Sequence, residues 1–382
     1  MQALLPRKLK DLAAALSKPL YAVGGACRDF LAGLSVECSD LDICAPISAD
    51  EVCAAAEKVG FTVSAVYKNT GTVLLNADGK TYEFTSFRTD KYVRGTHSPV
   101  EVFFTDDISS DARRRDFKCN AVYYDIAAGK FVDPLGGIED IKNKRITTVV
   151  DAGKVFGEDG LRLMRLCRIA AQVGFTPTEE CIDGARKNCG LIDDIAAERI
   201  WTELNAILHA DLKYGVAGAQ YRGLKLLKET GVLARILPEL ALGDNMCQRK
   251  DFHSHDVLEH SLRCVLYAPP EIRLAALLHD VGKPYCKINY GKFARHEEEG
   301  VVIAENICKR LRVPVKVTAR VCELVRSHMY DLSGAASENK VRKFIVNNLA
   351  IFDELLLLKQ ADFSACKDDL STAPCVIKWK GI

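Results

Sequence analysis

The segment from residue 21 to residue 46, YAVGGACRDFLAGLSVECSDLDICAP, constrains the fold of this chain more than any other. Gly24 and Gly25 follow a short apolar run, and glycines at the end of a strand let the backbone approach a bulky anion closely. Asp40 and Asp42 come next, and carboxylates two residues apart on a strand point to the same face. Such oxygen ligands suit Mg²⁺, which also binds substrate phosphates. In this order the two pairs indicate the parts needed for nucleotidyl transfer, although each pair alone also fits an ordinary turn or a solvated loop.

Composition limits the class of protein. With 382 residues the chain exceeds one typical hydrophobic core, so we expect two or three domains, and 48% hydrophobic residues are typical of a soluble globular protein. The 15 cysteines are scattered without a C-x-x-C pair, which favours reduced thiols and a cytoplasmic location. The first residues lack the apolar core of a secretory signal, and no apolar run is long enough to span a membrane. A net charge of +1 neither requires nor excludes a nucleic-acid partner.

Hydrophobic periodicity predicts an α+β fold. Strand and helix patterns alternate in residues 1–150, with a hairpin turn at Asp78-Gly79, and helical periodicity dominates from residue 151 onward. We therefore expect a head with a mixed sheet in residues 1–150, an all-α neck and body in 151–245, another all-α domain in 246–370 and a short extension in 371–382. The predicted strands are 21–24, 41–45, 72–75, 81–87, 121–126 and 130–132, and the clearest predicted helices are 7–16, 50–59, 196–209 and 221–230.

Two further polar patterns lie in the predicted head. Glu83 sits in the alternating strand 81–87, where it would add a third acid to a two-metal site, or a solubilising charge to an edge strand. The run from Arg114 and Arg115 through Asp116 to Asn120 precedes an apolar strand. Arginine forks suit phosphate, and the acid and amide could bind a ribose. A basic surface turn is the alternative.

A third pattern opens the predicted neck. Glu158, Asp159 and Arg162 have the i, i+3 and i+4 spacing that would place them on one helix face. A carboxylate acceptor beside guanidinium donors can pair with a base edge as a partner base would. A helix start with a surface ion pair is the alternative. Arg165 and Arg168 extend the same face further than one ion pair needs.

These motifs, in this order, resemble the class II tRNA nucleotidyltransferases, the family of CCA-adding enzymes and poly(A) polymerases. The resemblance covers residues 15–240. Its motifs are Gly24-Gly25, Arg28-Asp29, Asp40-x-Asp42, Glu83 to Arg88, Arg114 to Ala121, Asp133 to Gly137, Glu158-Asp159-x-x-Arg162, and Glu198-Arg199-Ile200 with Glu203.

The resemblance implies a role for each motif. Asp40 and Asp42 would hold Mg²⁺ and, with Glu83, form the catalytic group. The other implied contacts are as follows: Gly24, Gly25 and Arg28 with the triphosphate; Asp116 with the ribose 2′-hydroxyl; Asp159 and Arg162 with the base of CTP or ATP; and Glu158, Glu198 and Arg199 with the template helix. Residues 90–99 would match the flexible loop that switches addition from C to A, which favours full CCA addition.

The last third of the chain carries a different set of ligands. Six of the eight histidines follow residue 250, and an apolar helix ends in His279-Asp280. This resembles the HD superfamily of metal-dependent phosphohydrolases. Imidazole with carboxylate suits Mn, Fe, Ni or Zn better than Mg, and such an ion can activate water or be structural. His253 and His255 fall outside the pattern and are interpreted as surface residues. The implied ligands are His260, His279, Asp280, His296, His328 and Asp362.

The predicted activity is template-independent addition of CCA to the 3′ end of tRNA from CTP and ATP, without a membrane partner. Three alternatives remain open: a poly(A) polymerase or an enzyme that adds only A or only CC, an HD phosphohydrolase whose head only binds RNA, and a tRNA-binding scaffold. For the HD site, 2′,3′-cyclic phosphates or phosphates at damaged RNA ends are the expected substrates.

Overall fold

A computed structural model describes residues 1–35, 41–93, 99–249 and 251–382. It divides into two compact units, residues 1–194 and 195–382. Asp40 and residues 94–98 of the predicted loop segment lie outside the described residues. None of the described helices is long and apolar enough to cross a membrane.

The first unit is built on a mixed β-sheet, as predicted. Seven strands form it in the order β3-β4-β5-β2-β1-β8-β9; β2 and β5 are parallel, and every other neighbouring pair is antiparallel. The remaining strands form two short pairs, β6 with β7 and β10 with β11. The strands are β1 Tyr21–Val23, β2 Asp42–Ala45, β3 Thr62–Tyr67, β4 Thr72–Ala77, β5 Lys80–Ser86, β6 Arg88–Lys91, β7 Glu101–Phe104, β8 Tyr123–Asp125, β9 Lys130–Val132, β10 Arg145–Ile146 and β11 Thr176–Pro177.

Helices pack against the sheet, and further helices form the last part of this unit. Ser48 and Glu51 form a capping box that starts α3, which explains why a helix begins directly after the apolar strand β2. Leu9 and Leu12 of α1 and Val52 of α3 belong to the same buried core as the sheet. The helices are α1 Arg7–Ala15, α2 Gly25–Leu31, α3 Ala49–Lys58, α4 Ile108–Arg113, α5 Gly137–Lys142, α6 Ala152–Glu158, α7 Leu161–Val173 and α8 Glu179–Asn188, with 3-10 turns at Lys118–Asn120 and Cys189–Asp194.

The β4–β5 hairpin is confirmed at the turn predicted from Asp78-Gly79. Both residues have positive φ, 53° and 73°, which a tight hairpin turn requires. Strand β3 was missed: its residues are exposed or half-buried, and the alternation of polar and apolar side chains in Thr62 to Ala65 is short and ends at Val66.

The second unit is helical throughout its described residues, as predicted. Two of its helices approach unusually closely: a Cβ added at Gly282, in α16, would lie 2.1 Å from the carbonyl oxygen of His296 at the start of α17. This glycine therefore brings the predicted ligands Asp280 and His296 together. The helices are α9 Ala197–Leu208, α10 Ala210–Tyr214, α11 Ala219–Glu229, α12 Val232–Ile236, α13 Pro238–Ala241, α14 Val257–Tyr267, α15 Arg273–Leu278, α16 Gly282–Tyr290, α17 His296–Arg310, α18 Val315–Ser327, α19 Glu338–Asn347, α20 Phe352–Lys367 and α21 Pro374–Lys380, with 3-10 turns at Pro270–Ile272 and Leu349–Ile351.

Candidate active sites

Two of the predicted catalytic acids meet on neighbouring strands of the head sheet. Asp42 of β2 lies directly opposite Glu83 of the parallel strand β5, so both side chains project from the same face, and both residues are exposed. On its other side Asp42 pairs with Val23, the residue before Gly24. Gly24 has φ of +81°, and a Cβ there would lie only 3.0 Å from Oδ2 of Asp42. The glycine turn and the acids therefore form one site, with carboxylate oxygens that fit Mg²⁺.

Arg28 is held beside this turn. Its Nε and Nη2 donate to Oδ1 of Asp29 at 2.8 and 2.6 Å, and its Nη1 donates to Oδ1 of Asn120 at 2.8 Å. The residue is buried, and a Cβ added at Gly25 would lie 3.4 Å from Nη2 of Arg28. A buried guanidinium is thus fixed next to the second glycine of the turn.

Asp116 accepts hydrogen bonds at both carboxylate oxygens. Oδ1 accepts from Nδ2 of Asn120 at 3.0 Å, and Oδ2 accepts from Nε and Nη2 of Arg165 at 2.9 and 2.7 Å. Burial raises the pKa of Asp116, but the Arg165 charge and the hydrogen bond from Asn120 outweigh burial and hold the pKa well below its usual range. Because Asn120 also accepts from Arg28, one chain of hydrogen bonds joins Arg28, Asn120, Asp116 and Arg165.

Glu158, Asp159 and Arg162 do not share one helix face. Glu158 ends α6, Asp159 has an extended backbone with φ of −143° and ψ of 108°, and Arg162 belongs to the separate helix α7. The prediction of a continuous face was wrong, because Oδ1 of Asp159 accepts from the backbone N–H of Leu161 at 2.9 Å and so caps a new helix after Gly160. Arg162 still donates to Oε2 of Glu158 at 3.1 Å across the break.

Arg162 is nearly buried and firmly held. Its Nη1 donates to the carbonyl of Val155 at 3.0 Å, its Nη2 donates to the carbonyl of Arg114 at 2.8 Å, and its guanidinium lies 5.5 Å from the ring centre of Tyr92. Tyr92 belongs to the predicted loop segment 90–99. That segment begins in strand β6, where Asp90 pairs with Val102 of β7, and not as an irregular loop. The start of the predicted loop segment therefore contacts Arg162, which is predicted to pair with the base.

Arg115 occupies a buried ion-pair cluster. Its Nε donates to the hydroxyl of Tyr123 at 3.1 Å, and its Nη2 donates to Oδ2 of Asp111 at 3.1 Å. Burial raises the pKa of Asp111, but Arg115 and Arg114 outweigh burial and lower it to about 2. Asp111 was missed in the sequence, although its i, i+3 and i, i+4 spacing to the two arginines was visible. A nucleotide contact of Arg115 stays a prediction.

The remaining predicted residues are Arg168 on α7 and Glu198 and Arg199 on α9. Arg168 donates to Oε1 of Gln172 one turn further along α7 at 3.2 Å. Glu198 and Arg199 are exposed on α9, in the second unit, and Oε1 of Glu198 lies 3.8 Å from Nε of Arg312. Their support of a template helix stays a prediction.

The six predicted ligands of the second unit gather into two groups, and Asp280 of one group also lies close to the histidines of the other. Oδ2 of Asp280 lies 3.3 Å from Nε2 of His279, and its Oδ1 lies 3.1 Å from Nε2 of His296. Within each group the ligand atoms lie within 4.8 Å of one another. The Asp362 side chain is 13% exposed, whereas the other five residues are buried. The first group is His260, His279 and Asp362, and the second is Asp280, His296 and His328.

The histidine tautomers also fit a metal centre. Nδ1 of His279, His296 and His328 lies 2.8, 2.9 and 2.6 Å from a backbone carbonyl oxygen three residues earlier. A carbonyl only accepts, so Nδ1 carries the proton and Nε2 presents a lone pair. Nε2 of His296 and Nε2 of His328 face each other at 3.3 Å, where two lone pairs repel unless a cation lies between them. The donor set therefore fits one or two divalent ions.

A cavity of about 650 Å³ opens onto this cluster, and its walls include Asp280, Asp362, Lys283 and His253. The interpretation of His253 as a surface residue was wrong: the residue is half-buried, with its ring centre 4.9 Å from that of His260. Burial and the nearby Lys283 charge lower the pKa of His253 to about 4, so the ring is neutral at pH 7. His255 is also half-buried, and its Nε2 lies 3.3 Å from Oδ2 of Asp368.

Three family models match consecutive parts of the chain. Residues 20–147 match the poly A polymerase head domain, residues 174–242 match the probable RNA and SrmB-binding site of polymerase A, and residues 253–363 match the HD domain. The first model covers the glycine turn, Asp42, Glu83 and Asp116, and the last covers all six predicted HD ligands.

Curated relatives and a solved structure agree with these models. The chain is 34% identical over 310 residues to a multifunctional CCA protein of Chromobacterium violaceum, covering 77% of this chain and 70% of the relative. It is 37% identical to a CCA-adding enzyme of Geobacillus sp. (strain WCH70), covering 60% of this chain and 53% of the relative. A crystal structure of the Bacillus stearothermophilus CCA-adding enzyme with CTP covers 99% of this chain and 82% of that one, at 24% identity and a TM-score of 0.64, which shows the shared fold.

The chain spans about half the length of the first curated relatives, 53% and 45%. The extent of the match to the multifunctional CCA protein, together with the head and HD models, shows that the chain belongs to the family of CCA-adding enzymes.

Proposed function

We propose that this protein adds C, C and A to the 3′ end of tRNA from CTP and ATP in the cytoplasm. The proposal rests on the pairing of Asp42 with Glu83 beside Gly24. These exposed acids lie next to a turn whose glycine has no side chain, so a metal ion and a triphosphate could bind side by side. The proposed division is a head in residues 1–150, a neck and body in 151–245, an HD domain in 246–370 and an extension in 371–382. The described cysteines are free, which fits a reducing compartment.

Different head residues would bind the metal ion and the triphosphate. Asp42, with Asp40 and Glu83, would hold Mg²⁺, which when bound favours the deprotonated primer hydroxyl and neutralises the triphosphate charge. Gly24 leaves space for the triphosphate to approach the backbone, because any side chain there would contact Asp42. Arg28, fixed by Asp29 and Asn120, supplies positive charge next to the turn.

Asp116 would contact the sugar of the nucleotide, and Asp159 and Arg162 would contact its base. Asp116 is ionised, so its carboxylate can accept a hydrogen bond from a ribose 2′-hydroxyl while Arg165 and Asn120 hold it in place. Asp159 and Arg162 pair with the base of the incoming nucleotide, Arg168 extends this basic face of α7, and Arg115 holds the underlying core. Because Glu158 and two backbone carbonyls fix the Arg162 guanidinium, its direction does not depend on a nucleic-acid template.

The test uses tRNA that lacks its CCA end, incubated with Mg²⁺ and CTP alone, ATP alone or both, with products sized at single-nucleotide resolution. We expect two added residues with CTP and a third only when ATP is also present. Asp42→Ala should abolish every product, whereas Glu57→Ala, at an exposed acid of α3, should not. Long or single A tails without CTP incorporation would instead identify a poly(A) polymerase or an A-adding enzyme, and a stop after CC with both nucleotides would identify a CC-adding enzyme.

A second activity is favoured by the cavity that opens onto the HD cluster. We propose that the second unit hydrolyses phosphate esters, with 2′,3′-cyclic phosphates or phosphates at RNA ends as substrates. A divalent ion such as Mn, Fe, Ni or Zn, held by the six ligands, would supply an activated water. Lys283, whose Nζ lies 2.6 Å from Oδ2 of Asp280, places a positive charge in the same wall.

The HD proposal is tested separately from CCA addition. Purified protein is analysed for bound metal and assayed with 2′,3′-cyclic nucleotides, with His279→Ala as the site variant and His209→Ala, at the half-buried end of α9, as the control. Hydrolysis that His279→Ala loses and His209→Ala keeps supports the proposal. Bound metal that raises the unfolding temperature without any hydrolysis would show a structural centre.

A further inference from the structure

A third group of ligand atoms lies beside the HD cluster. One nitrogen each of His253 and His260 and the Sγ atom of Cys366 lie within 4.8 Å of one another. Cys366 follows Asp362 by four residues on α20, so both side chains project from the same face of that helix. Neither His253 nor Cys366 belongs to the two groups of HD ligands described above.

Two histidine nitrogens in this group lack partners. Nδ1 of His253 and Nδ1 of His260 are buried, and neither has a hydrogen-bond partner among the described residues. His260 is fully buried, so this nitrogen is shielded from bulk water. A buried polar atom without a partner destabilises the fold, and a bound cation would remove that cost. His253 and Cys366 also line the cavity, so an ion can enter from solvent.

We propose that His253, His260 and Cys366 form a further metal site, selective for a soft or borderline divalent ion of the zinc class. A thiolate with two imidazoles is a zinc-type ligand set, whereas the HD cluster offers only nitrogen and oxygen. As the metal–sulfur bond forms, the Cys366 thiol releases its proton to solvent. With three protein ligands, a fourth position faces the cavity. Nε2 of His260 faces the HD cluster, and a neutral imidazole has one lone-pair nitrogen, so the two sites compete for His260 unless the ring also releases its second proton to solvent.

The test is a Co²⁺ titration of the full chain after treatment with a chelator. Sulfur bound to Co²⁺ gives a thiolate charge-transfer band in the near ultraviolet, which the nitrogen and oxygen ligands of the HD cluster cannot give. We expect the band in the unmodified protein, its loss in Cys366→Ser and its loss or marked weakening in His253→Ala. Two matched controls should keep it: Cys247→Ser, at an exposed thiol, and His255→Ala, two residues from His253.

Absence of the band at saturating Co²⁺, or its persistence in Cys366→Ser, would overturn the proposal. A second measurement avoids any effect of the substitutions on folding: the unmodified protein is alkylated with iodoacetamide with and without Zn²⁺, and each cysteine is quantified by peptide mass spectrometry. Zn²⁺ should protect Cys366 but not the exposed Cys247. Equal alkylation of Cys366 in both conditions would also refute the site.

Discussion

Gly24→Ala tests whether the glycine turn positions the catalytic acids. The new Cβ would lie 3.0 Å from Oδ2 of Asp42, so the carboxylate must move by a few tenths of an ångström. With φ of 81° and ψ of −144°, the backbone adds a strain of about 1–3 kcal/mol for any residue with a side chain. In a unit of this size each kcal/mol lowers the unfolding temperature by about 2–4 °C. Because a misplacement of about 1 Å can cost about 100-fold, we expect kcat/KM for CTP incorporation to fall about tenfold or more.

Gly79→Ala is the matched control. Gly79 also has a positive φ, 73°, but a Cβ there would meet nothing within 4 Å. It should destabilise the same unit by about 1–2 kcal/mol and leave catalysis unchanged. Both variants and the unmodified protein are compared in steady-state CTP incorporation, well below their unfolding temperatures. If Gly24→Ala stays within about twofold of Gly79→Ala in kcat/KM, Gly24 does not set the position of Asp42 and the reasoning fails.

Three further predictions concern separate parts of the molecule. Glu83→Gln should reduce CTP incorporation about 100-fold, with little change in unfolding free energy because the residue is exposed. The control Glu57→Gln, at another exposed acid, should leave CTP incorporation unchanged. Equal activities of the two variants would remove Glu83 from the catalytic group. Asp111→Asn should lower the unfolding free energy by about 2 kcal/mol at pH 7, because the folded pKa is lowered to about 2. A lowered acid pKa stabilises the fold above the unfolded value, so in urea titrations the difference should shrink as pH falls from about 4 towards 2; a difference that stays constant would contradict this. His328→Ala should reduce the transition metal bound per chain, measured by elemental analysis, while CTP incorporation persists; unchanged metal content would exclude His328 as a ligand.

Local features of this fold were predictable because neighbouring residues decide them. Asp78-Gly79 between two alternating runs specifies a hairpin, and strand β9 was predicted with its observed bounds. The break at Asp159 was not predictable in the same way. The i, i+4 pair of Glu158 and Arg162 satisfies helical spacing and still makes its ion pair, although the helix is interrupted between them. Side-chain spacing alone did not reveal this interruption, which the backbone conformation of Asp159 produces.

Burial was not predictable from the sequence where the packing partner is distant along the chain. Arg115 contacts Tyr123 and Asp111 inside the core, and its nearness to Cys44 depends on the position of β2 in the sheet. His253 was assigned to the surface because no local pattern includes it, but α20 brings Cys366 close to it. Hydrophobic periodicity contains no information about such contacts, which depend on how separate elements pack.

The sequence by itself determined the chemistry available to this protein. The order of glycines, acids and arginines, the histidines of the last third and the change from mixed to helical periodicity indicated a nucleotidyltransferase head and an HD domain. Only the tertiary structure decided which of these groups meet. The register of β2 against β5 brings Asp42 opposite Glu83, and the packing of the last helices brings Asp280 close to both groups of ligands. Both outcomes depend on hydrogen bonds and packing between segments far apart in the chain, which local spacing does not specify.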